Sequence, residues 1–534
     1  MRENFAAFGN IIKQISKKMR INYFAPQNEL ENYICTCFAA VLELEKVGVN
    51  NDFFRIGGDS LAAADFIVQC NLSGLSVIDL YQYRTARKLA KYYLENYSDP
   101  YDIYENNLNA LNQSQALTPE MLDMFDKRGT RPSSEWYLPF MVKCSDDVDP
   151  ERLKKAVNKV FRHHSALNSV IDYTDDGSLC ISYAPEQYSE IVIEYITEDT
   201  FASLLKTSVR LFDVINAPLY NAVIYQTPEN TYLFLNFFHA IIDGTSIGIL
   251  KDEITRCYED DSYTLDRDCY YLYLADREIE RTSDKHREVE AHYKEMLQKN
   301  ILDQEIPFAV KQDNAINCGI WDVFQGVLSK NKTELAQSEL SKYSENGLFM
   351  MAYLLAIASI NGKNGAYLQW IYNGRDNLNV INQVGLLYRT FALAISFEDG
   401  ETIGTLAENV KSQMDYAIEH PDVRMSDAVP NLLSHSCTFL YQKDIYSISK
   451  TGIFEEILDV INTPGEFYEN IEFEFIDSYE SDEYCCIINY RSGVYTEDTI
   501  KELFRRFDCI MGILIDSQHP EKLLIKDIFR MLCD

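Results

Sequence analysis

Tyr232-Leu233-Phe234-Leu235-Asn236-Phe237-Phe238-His239-Ala240-Ile241-Ile242-Asp243-Gly244-Thr245-Ser246 decides the fold. Up to Phe238 every residue but Asn236 is apolar, without the alternation of a half-exposed strand, which predicts a strand buried on both faces. An apolar helix follows, with Asp243-Gly244 at its start. Read alone, His239 is a core histidine beside an apolar strand, and Asp243 turns the chain with Gly244 or caps the helix. Helical spacing over Glu151 to His164 and Asp498 to Ile513 extends the mixture. From Leu117 onward the chain therefore reads as α+β or α/β in two halves.

A second stretch, Asp52-Phe53-Phe54-Arg55-Ile56-Gly57-Gly58-Asp59-Ser60-Leu61, lies in a compact helical region. Leu30, Ile34, Cys37, Phe38, Val41 and Leu42 mark one apolar helix face, and Leu89, Tyr92 and Tyr93 mark another. Gly57 and Gly58 permit a tight turn, and Asp59 or Ser60 can cap the helix beginning near Leu61. The same geometry exposes a serine at a helix N-terminus, where the dipole favours an anionic phosphodiester on its oxygen.

The 534 residues suggest about three compact units. With 46% hydrophobic and 25% charged residues the composition is globular, and no apolar run reaches the roughly 18 residues of a membrane helix. A formal charge of −33 argues against a general nucleic-acid or anionic-membrane binder, since both demand a basic surface. Thirteen cysteines, without paired or zinc-like spacings, read as mostly buried free thiols, and no metal site is expected. Met1 is followed by Arg2, Glu3 and Asn4, with no secretory signal, so cytoplasmic residence is expected. Residues 1–24 form a basic amphipathic segment, read as an ordinary helix or a docking helix for an acidic partner.

Leu44 through Phe54, running into Gly57-Gly58-Asp59-Ser60-Leu61, resembles peptidyl carrier domains of nonribosomal peptide synthetases. Phe238-His239 through Asp243-Gly244 resembles the HHxxxDG motif of condensation domains, of the chloramphenicol acetyltransferase-like superfamily. His164 to Ser169 resembles the HEALRT segment, and Tyr271 through Asp276 the segment after the active-site motif. Asn373-Gly374-Arg375, Val384 to Thr390 and His420-Pro421-Asp422-Val423 resemble the later GR, IGxFVNT and HQDV motifs. The resemblance implies a small all-α four-helix carrier domain, then an α/β condensation domain of two chloramphenicol-acetyltransferase-like subdomains forming a V around a central tunnel. The expected boundaries are 1–24 N-terminal segment, 25–97 carrier, 98–115 linker, 116–285 first condensation subdomain and 286–534 second.

The resemblance further implies 4′-phosphopantetheine on Ser60, with Gly58 and Asp59 beside it, and His239 as the base or orienting group for amide formation between a carrier-bound donor and an amine. Asp243 is implied to fix local structure, and Gly244 lets the backbone pass close to the ligand. An adenylation enzyme loading in trans, a phosphopantetheinyl transferase, and a downstream carrier or free amine as acceptor are the implied partners. Three positions depart from the family: Phe238 replaces the first His, Asn168 the HEALRT arginine and Arg389 the IGxFVNT asparagine. They keep open a condensation-like domain that only binds or recruits carriers. An epimerase or ester-forming relative is the other alternative.

Overall fold

The computed structural model describes residues 24–42, 44, 46–58, 60–70, 72, 75–96, 109–125, 136–205, 211–301, 321–375, 380–398, 400–420, 437–443, 452–458, 471–477, 481–492 and 495–532. The basic segment up to residue 23, Asp59, most of the expected linker and Pro421-Asp422-Val423 lie outside them. Two compact units result, the first holding residues 24–96 and the second nearly everything described after them.

In the first unit helices Glu29–Val41, Ser60–Cys70, Val77–Tyr83 and Ala86–Asn96 form the expected four-helix domain. Asn28 and Ser76 cap two of them by accepting from Glu31 N and Asp79 N. Their apolar faces meet in a core that includes Phe38, Phe53 and Phe66, each at most 0% exposed.

The second unit contains fourteen strands among the described residues. In chain order they are β1 Gln115–Ala116, β2 Tyr137–Cys144, β3 Ser169–Tyr173, β4 Leu179–Tyr183, β5 Val192–Tyr195, β6 Tyr220–Gln226, β7 Thr231–Phe238 and β8 Trp321–Val327. β9 Gly365–Tyr372, β10 Arg389–Ser396, β11 Cys437–Lys443, β12 Phe454–Leu458, β13 Ile471–Asp477 and β14 Cys485–Arg491 complete the set. One sheet has the order β12-β2-β7-β6-β5, a second β10-β9-β11-β13-β14-β8, and a small third β1-β4-β3. The strand read from Tyr232 is β7, buried at every position and central in its sheet, as its unbroken apolar run requires.

The two halves of the unit are tied together by a strand. β12 comes from the second half of the sequence but pairs antiparallel with β2, completing the first sheet. The second sheet packs Phe473 and Phe475 of β13 on Tyr353 and Phe349 of helix Glu345–Asn361. Its other face meets helix Asp284–Ile301, whose Val289, Tyr293 and Leu297 cluster with Tyr367, Ala392 and Ala394. All described cysteines are free thiols, and only Cys485 and Cys509 are not buried. No helix among the described residues is long and apolar enough to cross a membrane.

Candidate active site

In the helical unit the candidate attachment residue is located by a turn built on aromatic packing. Asp52 Oδ1 accepts from Phe54 N and Arg55 N, both at 3.1 Å, and its Oδ2 accepts from Arg84 Nε at 2.9 Å. Gly57 follows at φ 116°, where a side chain is disfavoured. Gly58 is needed for a different reason, since a Cβ there would lie 2.3 Å from the Phe53 ring. The chain then enters helix Ser60–Cys70 with Ser60 as its first residue and no acidic side chain in the first turn. The dipole at such a start favours an anion.

In the second unit β7 ends at Phe238, and His239–Ile241 form a 3-10 turn. His239 Nδ1 lies 2.7 Å from the carbonyl oxygen of Ile242. A carbonyl only accepts, which assigns the proton to Nδ1 and leaves Nε2 with its lone pair. The half-buried ring stands edge-on to Trp136 at 6.0 Å and to Tyr388 at 5.5 Å. Desolvation pulls its pKa below the ordinary histidine value, against weaker upward pulls from its own backbone, Ile242 and Asp243. The imidazole is therefore neutral near pH 7.

Asp243 is the N-cap of helix Gly244–Glu259, its Oδ1 accepting from Ser246 N at 2.9 Å. Its Oδ2 accepts from Leu387 N at 3.0 Å, which anchors the Val384–Thr390 segment to the helix start. Ser246 Oγ accepts from Gly385 N at 3.1 Å and lies 2.8 Å from Asp243 Oδ1 and 2.9 Å from Gly385 O, so its one proton serves either oxygen. Gly385 itself is pressed against Tyr270, where a Cβ would fall 2.2 Å from the ring. Tyr273 OH donates to Leu387 O at 3.2 Å, and Arg277 bridges Tyr273 OH to buried Glu120. Gly244 is exposed at the first helical position.

The three departures have distinct places. Phe238 is 0% exposed and packs on Phe125 and Tyr137, both at 5.7 Å, where an imidazole would lose its water. Asn168 donates through Nδ2 to Phe161 O at 2.7 Å and His164 O at 2.8 Å, closing the end of helix Pro150–His163. Both amide hydrogens are thereby used. Buried Arg389 opens β10 opposite Tyr372. The sequence reading assigned no role to Trp136, Tyr388, Ser246, Glu120 or Arg277; for Ser246 the three-residue offset from Asp243 was the available signal.

Residues 124–524 match the Condensation domain family, and residues 32–93 match the Phosphopantetheine attachment site family. Surfactin synthase subunit 1 of Bacillus subtilis (strain 168) is 20% identical over 512 residues, covering 90% of this chain and 14% of that protein. Gramicidin S synthase 1 of Brevibacillus brevis is 27% identical over 253 residues, 45% of this chain and 22% of that protein. The chain thus spans less than a quarter of either relative. Among solved structures, the epimerization domain from the third module of tyrocidine synthetase B aligns with TM-score 0.60 at 15% identity, over 78% of this chain and 98% of that one. The starter condensation domain of rhizomide synthetase aligns with TM-score 0.62 at 12% identity, over 78% and 98%. A four-helix unit matching the attachment site, followed by a two-sheet unit matching the condensation domain, places this chain in the condensation domain family as a carrier–condensation didomain of the nonribosomal peptide synthetase type.

Proposed function

We propose that the chain forms an amide bond between an acyl group held on Ser60 and an amine, with His239 as the base or orienting group. The observation that carries this reading is the His239 Nδ1 to Ile242 O hydrogen bond, which leaves Nε2 free to accept a proton. An α-amine has a reference pKa near 7.7–8.0, within reach of a neutral imidazole. His239 takes up at Nε2 the proton that the nitrogen loses as it attacks the acyl carbonyl, and returns it to the departing sulfur. Trp136 and Tyr388 limit ring rotation, and Asp243 with Ser246 fixes the turn that holds the imidazole.

The cofactor fits this chain. Ser60 opens an eleven-residue helix with no carboxylate in its first turn, where the helix dipole favours a phosphodiester. Bound 4′-phosphopantetheine supplies a thiol at the end of a flexible arm, which holds the acyl group as a thioester. Gly58 and Asp59 belong to the same attachment turn in this reading. It also requires an adenylation enzyme, a phosphopantetheinyl transferase, and an amine on a second carrier or in solution. We place the carrier at 25–97, the linker at 98–115 and the condensation subdomains at 116–285 and 286–534.

Intact mass measured after incubation with a broad phosphopantetheinyl transferase and an aminoacyl-coenzyme A, then with candidate amines, tests it. Loading that needs Ser60 and discharge as amide that needs His239 support both halves. Loading without any His239-dependent discharge would leave the carrier and make the second unit a binding platform.

A further inference from the structure

The six-stranded sheet carries a row of polar side chains separate from the hydrogen bonds around His239. Register aligns Gln369 of β9 with Thr438 of β11, Thr438 with Glu472 of β13, and Glu472 with Asn489 of β14. Residues paired across strands share a face, so these four stand side by side. The opposite face is the apolar one that packs on helix Glu345–Asn361 through Phe473 and Phe475.

Buried polar atoms are ordinarily satisfied. Gln369 Nε2 and Thr438 Oγ1 have no hydrogen-bond partner, although each residue is only 1% exposed. Beside them stand two carboxylates. Glu472 Oε1 accepts from Asn489 Nδ2 at 2.9 Å, and burial pushes its pKa up. Two residues on and on the same face, Glu474 Oε1 accepts from Gln442 Nε2 at 2.7 Å. The face is closed at one end by helix Asp284–Ile301 over Ala392. At the other end Val323, paired with Asn489, is 53% exposed. The row therefore runs from an open edge toward a closed end holding an unsatisfied hydroxyl and amide.

We propose that Gln369, Thr438, Glu472 and Glu474 form a recognition site for a substrate bearing a positively charged side-chain amine. An ammonium offers three donors and no acceptor, which suits two carboxylates and the Thr438 oxygen, while Gln369 Nε2 donates to a carbonyl of the same ligand. Burial disfavours the charged form of Glu472, and a cation beside it offsets that cost. The inference rests on the amide-forming reading only for what the bound molecule is used for.

Calorimetry on the full chain with L-lysine amide and L-norleucine amide, which differ by the side-chain ammonium, tests it. Lysine amide should bind on the order of tenfold more tightly. Glu472→Gln should bring the ratio close to one and Thr438→Val should reduce it several-fold, with thermal unfolding curves confirming a folded chain. Glu472→Gln changes one of 82 acidic residues, so diffuse attraction to an acidic protein would survive it. Equal affinities in the wild type overturn the proposal, as does a ratio unchanged in folded Glu472→Gln; if that variant unfolds, an unchanged ratio in Thr438→Val does the same. A chain that prefers lysine amide yet transfers no acyl group would remove the amide-forming reading and leave this site standing.

Discussion

The two helix starts proposed to carry the chemistry are built in opposite ways. At Ser60 most of what locates the turn is near in sequence, Asp52 beneath the 3-10 turn and the Phe53 ring under Gly58, with Arg84 joining from 32 residues beyond Asp52, just past helix Val77–Tyr83. At Asp243 the helix start is bound to Leu387, 144 residues away, and to Gly385 through Ser246. A root for a moving arm needs a fixed helix and open space around it. A base needs a fixed tautomer, which His239 takes from Ile242 O three residues on, while the helix start beside it is held by contacts from distant parts of the chain.

Substitutions at each start should leave the other untouched. Ser60→Ala should abolish the mass gain on loading, and a second loaded position would break the assignment. Next in size, His239→Ala should slow amide formation by on the order of 10²–10⁴-fold with loading unchanged, as single-turnover rates would show. Gly385→Ala forces a Cβ against the Tyr270 ring and should cost about 1–3 kcal/mol in the second unit, read as an earlier denaturant midpoint. Ser60 loading should survive it, and joint loss of both functions would show that the two starts are coupled.

The smallest effect concerns pH. The folded pKa of His239 lies below its ordinary value of about 6.5, so fewer protons are bound folded than unfolded in the window beneath that value. Its contribution to stability is present above about pH 6.5 and is lost as pH falls through the folded pKa. With rates expressed per neutral amine, so that the acceptor's own ionisation at about 7.7–8.0 drops out, the acid limb of kcat/KM should likewise lie below 6.5 and disappear in His239→Ala. A limb at or above 6.5 would mean that the imidazole keeps its water.

The legible parts of the fold were those set by short-range pattern. The apolar run to Phe238 gave a central strand, and Asp243 before an apolar helix gave a cap whose donor, Ser246 N, lies three residues on. The role of Asn168 was half legible: its replacement of an arginine was visible, but capping Phe161 O and His164 O needed the helix end to be seen. Leu387 N as the partner of Asp243, and the alignment of Gln369, Thr438 and Glu472, depend on sheet register between distant segments, which no local pattern encodes. The closure of the first sheet by β12 is of the same kind.

That closure sets a timetable for synthesis. β2 leaves the ribosome about 300 residues before the strand that covers its edge, an interval of roughly 15–60 s at common elongation rates. During that time one side of β2 offers unpaired backbone groups to any other nascent chain, a hazard that folded proteins otherwise hide. Expression that slows elongation, or truncation before residue 454, should therefore favour aggregates formed through β2.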